Sequence, residues 1–273
     1  MRRAFALVVV VGCGRVGFDA HGDASAGGGD APRDTRTSDA DVSALLVGCQ
    51  VWETFGEPAQ WATGIVDHCG ADNPGTASGG AVPATDPERG SVAQFGGGSA
   101  CIQLPDAANL HPVDTLTVSA WIKANAVSPN GFGIVSKRKD FMVDTAYSVF
   151  LWADSSGAGT VNHLYVDIES ENNRFETPGP EFLNAWRQVT VTFDGNVVPA
   201  QRVAIYVDGA FSTFAPESST AISLPTVPPP VSIGCLPLGA PAQALDGRLD
   251  DVAIWNRRLS PAEVMAWYAA TTP

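Results

Sequence analysis

Basic residues are scarce in this sequence: 16 Lys and Arg stand against 29 Asp and Glu, a formal charge of -13 over 273 residues. Such a chain lacks the clustered cations that nucleic-acid phosphates demand. Its densest basic stretch, "KRKD" at 137–140, suits a solvated turn. Long apolar runs are missing as well. The N-terminal run from Ala4 to Val11 falls well short of the roughly 20 residues that a bilayer-spanning helix needs. No C-x-x-C spacing occurs, which argues against a zinc site. A Ser–His–Asp arrangement and a phosphate-cradling glycine loop are also lacking, and His21, His68, His111 and His163 all sit in or next to loops.

What is there begins with a targeting segment. Arg2 and Arg3 precede the short apolar run, and Gly12 and Cys13 follow it, the pattern of a signal peptide over 1–12. "VVGC" at 10–13 resembles a bacterial lipobox, which implies lipidation of Cys13 as the mature N-terminus. Gly14 rather than Asp follows the cysteine, and by resemblance to Gram-negative lipoproteins that implies the outer membrane. Residues 13–43, centred on "SAGGGDAPRDTRTSDAD", hold almost nothing that can be buried and read as a disordered tether. The globular domain is expected over 44–273. Four cysteines remain in it, Cys49, Cys69, Cys101 and Cys235, an even number that suggests two disulfides in an exported chain. Three pairings are open; Cys49–Cys69 with Cys101–Cys235 leads, one bridge closing a short loop and the other stapling distant strands.

Period two governs the domain. Leu116, Val118, Ala120 and Ile122 alternate with Thr117, Ser119, Trp121 and Lys123. Val189, Val191 and Phe193 alternate with Gln188, Thr190 and Thr192, and Val203, Ile205 and Val207 with Ala204 and Tyr206. These are half-buried antiparallel strands, punctuated by "DGN", "DGA" and "PTVPPP". The pattern predicts an all-β fold of antiparallel strands, a two-sheet sandwich or jelly roll. One short C-terminal helix is signalled: Ser260 as N-cap, Pro261 at the first position, Glu263 completing a capping box, then Val264, Trp267 and Tyr268 at helical spacing. Its apolar face is expected to close one end of the sandwich.

"LDGRLDDVAIWNRRLSPAEV" at 245–264 resembles the C-terminal signature of laminin-G-like jelly rolls in the concanavalin A-like lectin/glucanase superfamily. "GSVAQFGGGSACIQLP", "LTVSAWIK" and "NAWRQVTVTFDG" with "VAIYVDG" resemble further family strands in the expected order, over roughly 45–270. "DHCGADNPGTASGG" departs from the family pattern at the start of the domain. The resemblance implies two curved sheets and binding of glycans or proteins, in some members with calcium. A minority of the superfamily hydrolyse glycosidic bonds.

Three groups of residues are candidates for a site. Asp250 shares parity with Val252 and Ile254 and is therefore expected in the core, where a bare carboxylate costs several kcal/mol. Either it accepts backbone N–H bonds from the N-terminal loop, or it binds Ca²⁺ with Asp67, Asp72 and Asn73. Trp152 and Tyr206 are the aromatics best placed for sugar stacking, whereas Trp121, Trp186 and Trp255 suit packing. In "YVDIESENN", Asp167, Glu169 and Glu171 alternate and are expected on one strand face, as the acids of the superfamily's glucanases are. The polar run that follows argues for a solvated strand instead of a catalytic one. The reading is a surface lipoprotein, membrane-bound through its lipid alone, that binds a glycan or an extracellular protein without catalysis. A glycoside hydrolase built on the acidic strand and a purely structural envelope domain are the alternatives.

Overall fold

The computed structural model describes residues 42–273 apart from 129–130, 140–143, 154–161, 178–180, 213–214, 217–220, 222 and 238–242. The signal segment, Cys13 and nearly all of the expected tether lie outside the described residues. The strands follow in chain order as β1 (Cys49–Glu53), β2 (Thr76–Ser78), β3 (Val82–Asp86), β4 (Gly90–Gly96), β5 (Cys101–Gln103) and β6 (Thr115–Ala124). Next come β7 (Phe132–Arg138), β8 (Thr145–Ala153), β9 (Asn162–Ile168), β10 (Ser170–Thr177), β11 (Arg187–Asp194) and β12 (Val203–Val207). The last are β13 (Ala210–Ser212), β14 (Ala215–Pro216), β15 (Ser232–Ile233), β16 (Cys235–Leu236), β17 (Gln243–Ala244) and β18 (Asp246–Trp255), followed by helix α1 (Pro261–Thr271).

Two antiparallel sheets form the sandwich. The first runs β13-β12-β11-β6-β18-β4-β3, with β1 also paired to β18; the second runs β14-β10-β9-β8-β7-β15-β5-β2. The alternation seen in the sequence sets the inner faces. Leu116, Val118, Ala120 and Ile122 of β6, with Val189, Val191 and Phe193 of β11, meet Val135, Val149, Val166 and Ile233 from the second sheet in one core. Burying each of these Val, Leu, Ile and Phe side chains contributes about 1.5–3 kcal/mol. β16 crosses over β7 at Gly133, where a Cβ would fall 2.1 Å from the carbonyl carbon of Cys235, so only glycine fits.

Helix α1 begins as expected: Ser260 Oγ accepts from Glu263 N–H and the Glu263 carboxylate accepts from Ser260 N–H. Its position differs from expectation. It lies over the outer face of the first sheet, where Trp267 meets Trp255 and Trp52 edge to face at 5.0 and 5.4 Å and Tyr268 stacks on Trp121 at 5.6 Å. That face also carries Ala204, Tyr206 and Ala253, so it needs an apolar cover as much as the inner face does.

Asp250 does not point into the core. Leu249 and Val252 both face inward because the register slips between Asp250 and Ala253, with Asp251 at φ 45°. This β-bulge turns two consecutive carboxylates to the helix side. There Arg89 bridges them, Nε to Asp250 Oδ2 at 2.8 Å and an Nη to Asp251 Oδ2 at 2.7 Å, and the same Nη donates to Thr271 O at 3.1 Å. Trp52 Nε1 donates to Asp251 Oδ1 at 3.0 Å.

Both expected disulfides are present: Cys49–Cys69 and Cys101–Cys235, with Cα atoms 5.6 and 5.3 Å apart. Their sequence separations are 20 and 134, and the entropic model gives about 3 and about 5 kcal/mol for loops of those lengths. Replacing Cys101 and Cys235 by Ala is expected to lower the urea-unfolding free energy by about 2 kcal/mol more than replacing Cys49 and Cys69. Equal losses would refute that ordering. Arg89→Leu leaves two buried carboxylates without their cation and is expected to cost about 3–5 kcal/mol in the same assay. A loss below about 1 kcal/mol, the range of exposed pairs, would show the clamp to be incidental.

Candidate functional site

The acidic stretch does not form one alternating strand. β9 ends at Ile168, Glu169 takes φ 68° in a tight turn, and the chain returns as β10, with Ser170 opposite Ile168 and Arg174 opposite Asp167. Asp167 and Glu169 are thus split between strand and turn, and the side chain of Glu171 lies outside the described residues. Asp167 is not solvated either. It is fully buried and accepts from Arg174 Nε and an Arg174 Nη at 2.7 and 2.9 Å and from an Arg138 Nη at 3.0 Å. Both oxygens of this carboxylate are therefore committed to guanidinium donors and are not open to a substrate. Glu169 is exposed, with Asn173 Nδ2 donating to it at 3.4 Å.

Asp167 belongs to a row of polar side chains across the outer face of the second sheet. Gln103, Ser232, Ser136, Ser148, Asp167 and Arg174 stand opposite one another on successive strands. The hydroxyls of Ser148 and Ser232 are buried without a hydrogen-bond partner. Two residues along each strand runs a second row, Phe150, Tyr165 and Glu176, and beyond it Trp152 faces His163. Phe150 and Tyr165 stack at 5.5 Å, and Trp152 tilts against them at 6.5 and 5.8 Å. The Arg174 guanidinium sits 5.4, 5.7 and 6.0 Å from the Phe150, Trp152 and Tyr165 rings.

Phe150 and Tyr165 are buried, so Trp152 is the ring of this cluster that reaches solvent. Around it lie partly exposed His163, whose Nδ1 is 2.6 Å from Glu176 Oε1, and Arg174. An aromatic surface bordered by donors and acceptors is the chemistry that holds a hydroxylated ring. Tyr206, the other expected stacking residue, is buried beside Trp255 and Trp267 and meets Phe211 edge to face at 5.9 Å. Burial pushes its phenol above the ordinary value. On the outer face of the first sheet Tyr206 joins Ala204, Ala253 and Trp255 in the apolar cluster that the helix covers, so the alternation that set it apart from the core placed it under the helix.

The calcium set expected from the sequence does not assemble. Asp250 is bound to Arg89, and Asp72 is exposed on a turn at φ 56°. Asp67 and Asn73 do lie together: Asp67 Oδ2 accepts from Asn73 N–H at 3.1 Å, while its Oδ1 accepts from the backbone of Trp52 and Cys69 at 3.0 and 2.9 Å. Among the described residues no group of three or more His, Cys, Asp or Glu converges as metal ligands do.

Two features were not read from the sequence. The arginines that neutralise Asp250, Asp251 and Asp167 give no local signal, since Arg89 lies 161 residues from Asp250. Glu53 was legible: it shares the parity of Val51, and both face inward opposite Val252 and Ile254. Glu53 is fully buried and its two carboxylate oxygens have no hydrogen-bond partner. Burial, with the Asp67 and Glu57 carboxylates adding to it, pushes its carboxyl well above the ordinary value. Gly75 N–H is turned toward it but is committed to Ile65 O at 3.1 Å, so it offsets this only in part.

The family model described as the concanavalin A-like lectin/glucanases superfamily matches residues 96–265. Domain 4 of a GH43 extracellular arabinanase from Geobacillus stearothermophilus, solved with arabinotriose, superposes with a TM-score of 0.52 at 16% identity, covering 80% of this chain and 96% of that one. The binding domain of botulinum neurotoxin DC, solved with rat synaptotagmin II, gives 0.56 at 12% identity over 83% of this chain and 52% of that one. The binding domain of Paraclostridial Mosquitocidal Protein 1 gives 0.51 at 13% over 82% and 52%. The chain thus spans about half the length of these two toxin domains. No curated protein matches the sequence. The matched segment carries β6, the β11–β12 hairpin and the bulged β18 of the sandwich described above, and the chain belongs to the concanavalin A-like lectin/glucanase superfamily.

Proposed function

We propose that this domain is a non-catalytic glycan-binding module that seats a sugar on Trp152. The observation that carries the reading is the partly exposed Trp152 ring, backed by Phe150 and Tyr165 and bordered by His163, Arg174 and Glu176. A rigid aromatic platform needs no reordering to receive a sugar face, and the charged rim supplies directional hydrogen bonds. The arabinanase domain that holds arabinotriose and the neurotoxin domain that holds synaptotagmin support a glycan or a protein ligand on this fold; the ring and its polar rim favour the glycan. Hydrolysis through Asp167 is disfavoured, because both of its oxygens are engaged by Arg138 and Arg174. The lipobox-like "VVGC" and the polar stretch after it support a lipid anchor at Cys13 and a tether to the cell envelope, in the outer membrane of a Gram-negative bacterium.

A glycan array followed by calorimetry on the best ligand tests the platform. Trp152→Ala is expected to weaken binding at least tenfold, about 1.4 kcal/mol, with unchanged circular dichroism. Undiminished affinity in that variant, or no glycan bound at all, would overturn the reading. Mass analysis of the membrane-extracted protein checks the anchor: its N-terminal residue is expected to be acylated Cys13, and an unmodified Cys13 would refute it.

A further inference from the structure

We propose that the outer face of the first sheet carries a second glycan site, centred on Trp186, that takes a neutral polysaccharide. It stands on the opposite sheet from Trp152 and does not depend on that platform. Pairing of β6, β18, β4 and β3 sets Lys123 opposite Arg248, Arg248 opposite Gln94 and Gln94 opposite Val82. Lys123, Arg248 and Gln94 point outward, because their neighbours Ile122, Leu249 and Ala93 face the core. Trp186, just ahead of β11, extends this row, its ring 5.9 Å from Lys123 Nζ. The helix stops one row short. Its last residue, Thr271, accepts at Oγ1 from Trp121 Nε1 and Gln188 Nε2 at 2.9 and 2.8 Å. In the row beyond, Trp186, Lys123, Arg248 and Gln94 are partly exposed and Val82 is exposed. Trp186, which its sequence context assigned to packing, therefore reaches solvent.

One buried carboxylate builds the row. Asp86 Oδ1 accepts from Trp186 Nε1 at 3.1 Å and from Glu88 N–H at 2.9 Å. Its Oδ2 accepts from an Arg248 Nη and lies 3.8 Å from Lys123 Nζ. The ring and both cations are thus held in place before any ligand arrives, so binding orders little that was free. The remaining polar groups are uncommitted: Arg248 Nε, its other Nη and the Gln94 amide bond to no described residue.

Charge and layout select the ligand. Lys123 and Arg248 are balanced by Asp86 and by Glu88, whose Oε1 lies 2.7 Å from Lys123 Nζ. The row therefore has no excess positive charge to draw an anionic polymer. A protein interface is built on an apolar centre with a polar rim. Here the order is reversed, with polar groups in the middle and Trp186 and Val82 at the ends. A hydroxylated chain laid across the strands fits that order, one sugar face on Trp186 and the hydroxyls of later sugars on Arg248 and Gln94. Four strand spacings make the row about 19 Å long, enough for an oligosaccharide rather than a single sugar. If Trp152 also holds a glycan, one domain bridges two polymer chains, a consequence that rests on both platforms.

Native gels cast with arabinan, mixed-linkage β-glucan, galactan or polygalacturonate test the site on the purified protein. At least one of the three neutral polymers is expected to retard the wild type, and Trp186→Ala to weaken that retardation about fivefold. Gln94→Ala breaks no side-chain bond of the described fold and is expected to weaken it about threefold. It decides the outcome if circular dichroism shows Trp186→Ala unfolded. In a Trp152→Ala background the same losses are expected, and the wild type alone is expected to cloud a solution of the polymer by bridging its chains. Undiminished retardation in either folded Trp186→Ala or Gln94→Ala would overturn the proposal. So would stronger retardation by polygalacturonate than by every neutral polymer, or none by any. Loss in Trp186→Ala and Gln94→Ala but not in Trp152→Ala would uphold this site and overturn the first platform instead.

Discussion

One guanidinium group against two consecutive carboxylates is the constraint on which the first sheet depends. Arg89 can reach Asp250 and Asp251 together only because β18 carries an extra residue, which sends both side chains to the same face. The bulge keeps Leu249, Val252 and Ile254 in the core on either side of that break. Arg89 is in turn fixed from above, lying 4.2 Å over the Trp121 ring and donating to the last carbonyl of the helix. Strand, turn and helix thus share a single buried charge cluster. Such clusters add little net stability over an apolar replacement, but they penalise every arrangement that leaves one member unpaired. Here that penalty sets the register of β18 and the seat of the helix together.

The sequence was informative where structure is local. Alternation in β6, β11 and β12 named the inward residues correctly, and Ser260, Pro261 and Glu263 marked the start of the helix. It misled wherever a single residue broke the period. Asp251, at positive φ, reversed the parity of Asp250, and Glu169, also at positive φ, ended a strand inside a polar run without glycine or proline to mark it. Aspartate tolerates that conformation, and glutamate adopts it at a cost of about 1–2 kcal/mol, so the turn leaves no compositional trace. Tyr206 shows a different limit. Alternation separates two faces but does not say that one of them lies under another element.

The same cause explains the acids. In the sequence, Asp167 and Asp250 read as candidates for chemistry because their partners lie far away along the chain or across a turn. In the fold each meets an arginine and becomes structural. Glu53 is the reverse case: an unremarked strand residue that the fold leaves buried without a cation. A carboxylate's role was set by what the topology brought to it.

The place of β18 has a consequence for synthesis. This strand pairs with β1, β4 and β6, so the middle of the first sheet is supplied by the last strand of the domain in chain order, residues 246–255. A nascent chain still lacking them has β4 and β6 with no strand between, and each keeps an open edge until β18 has been made. The domain is therefore built to close late and all at once, and a ribosome stalled near residue 240 would hold a chain free to be threaded, bound by chaperones or degraded.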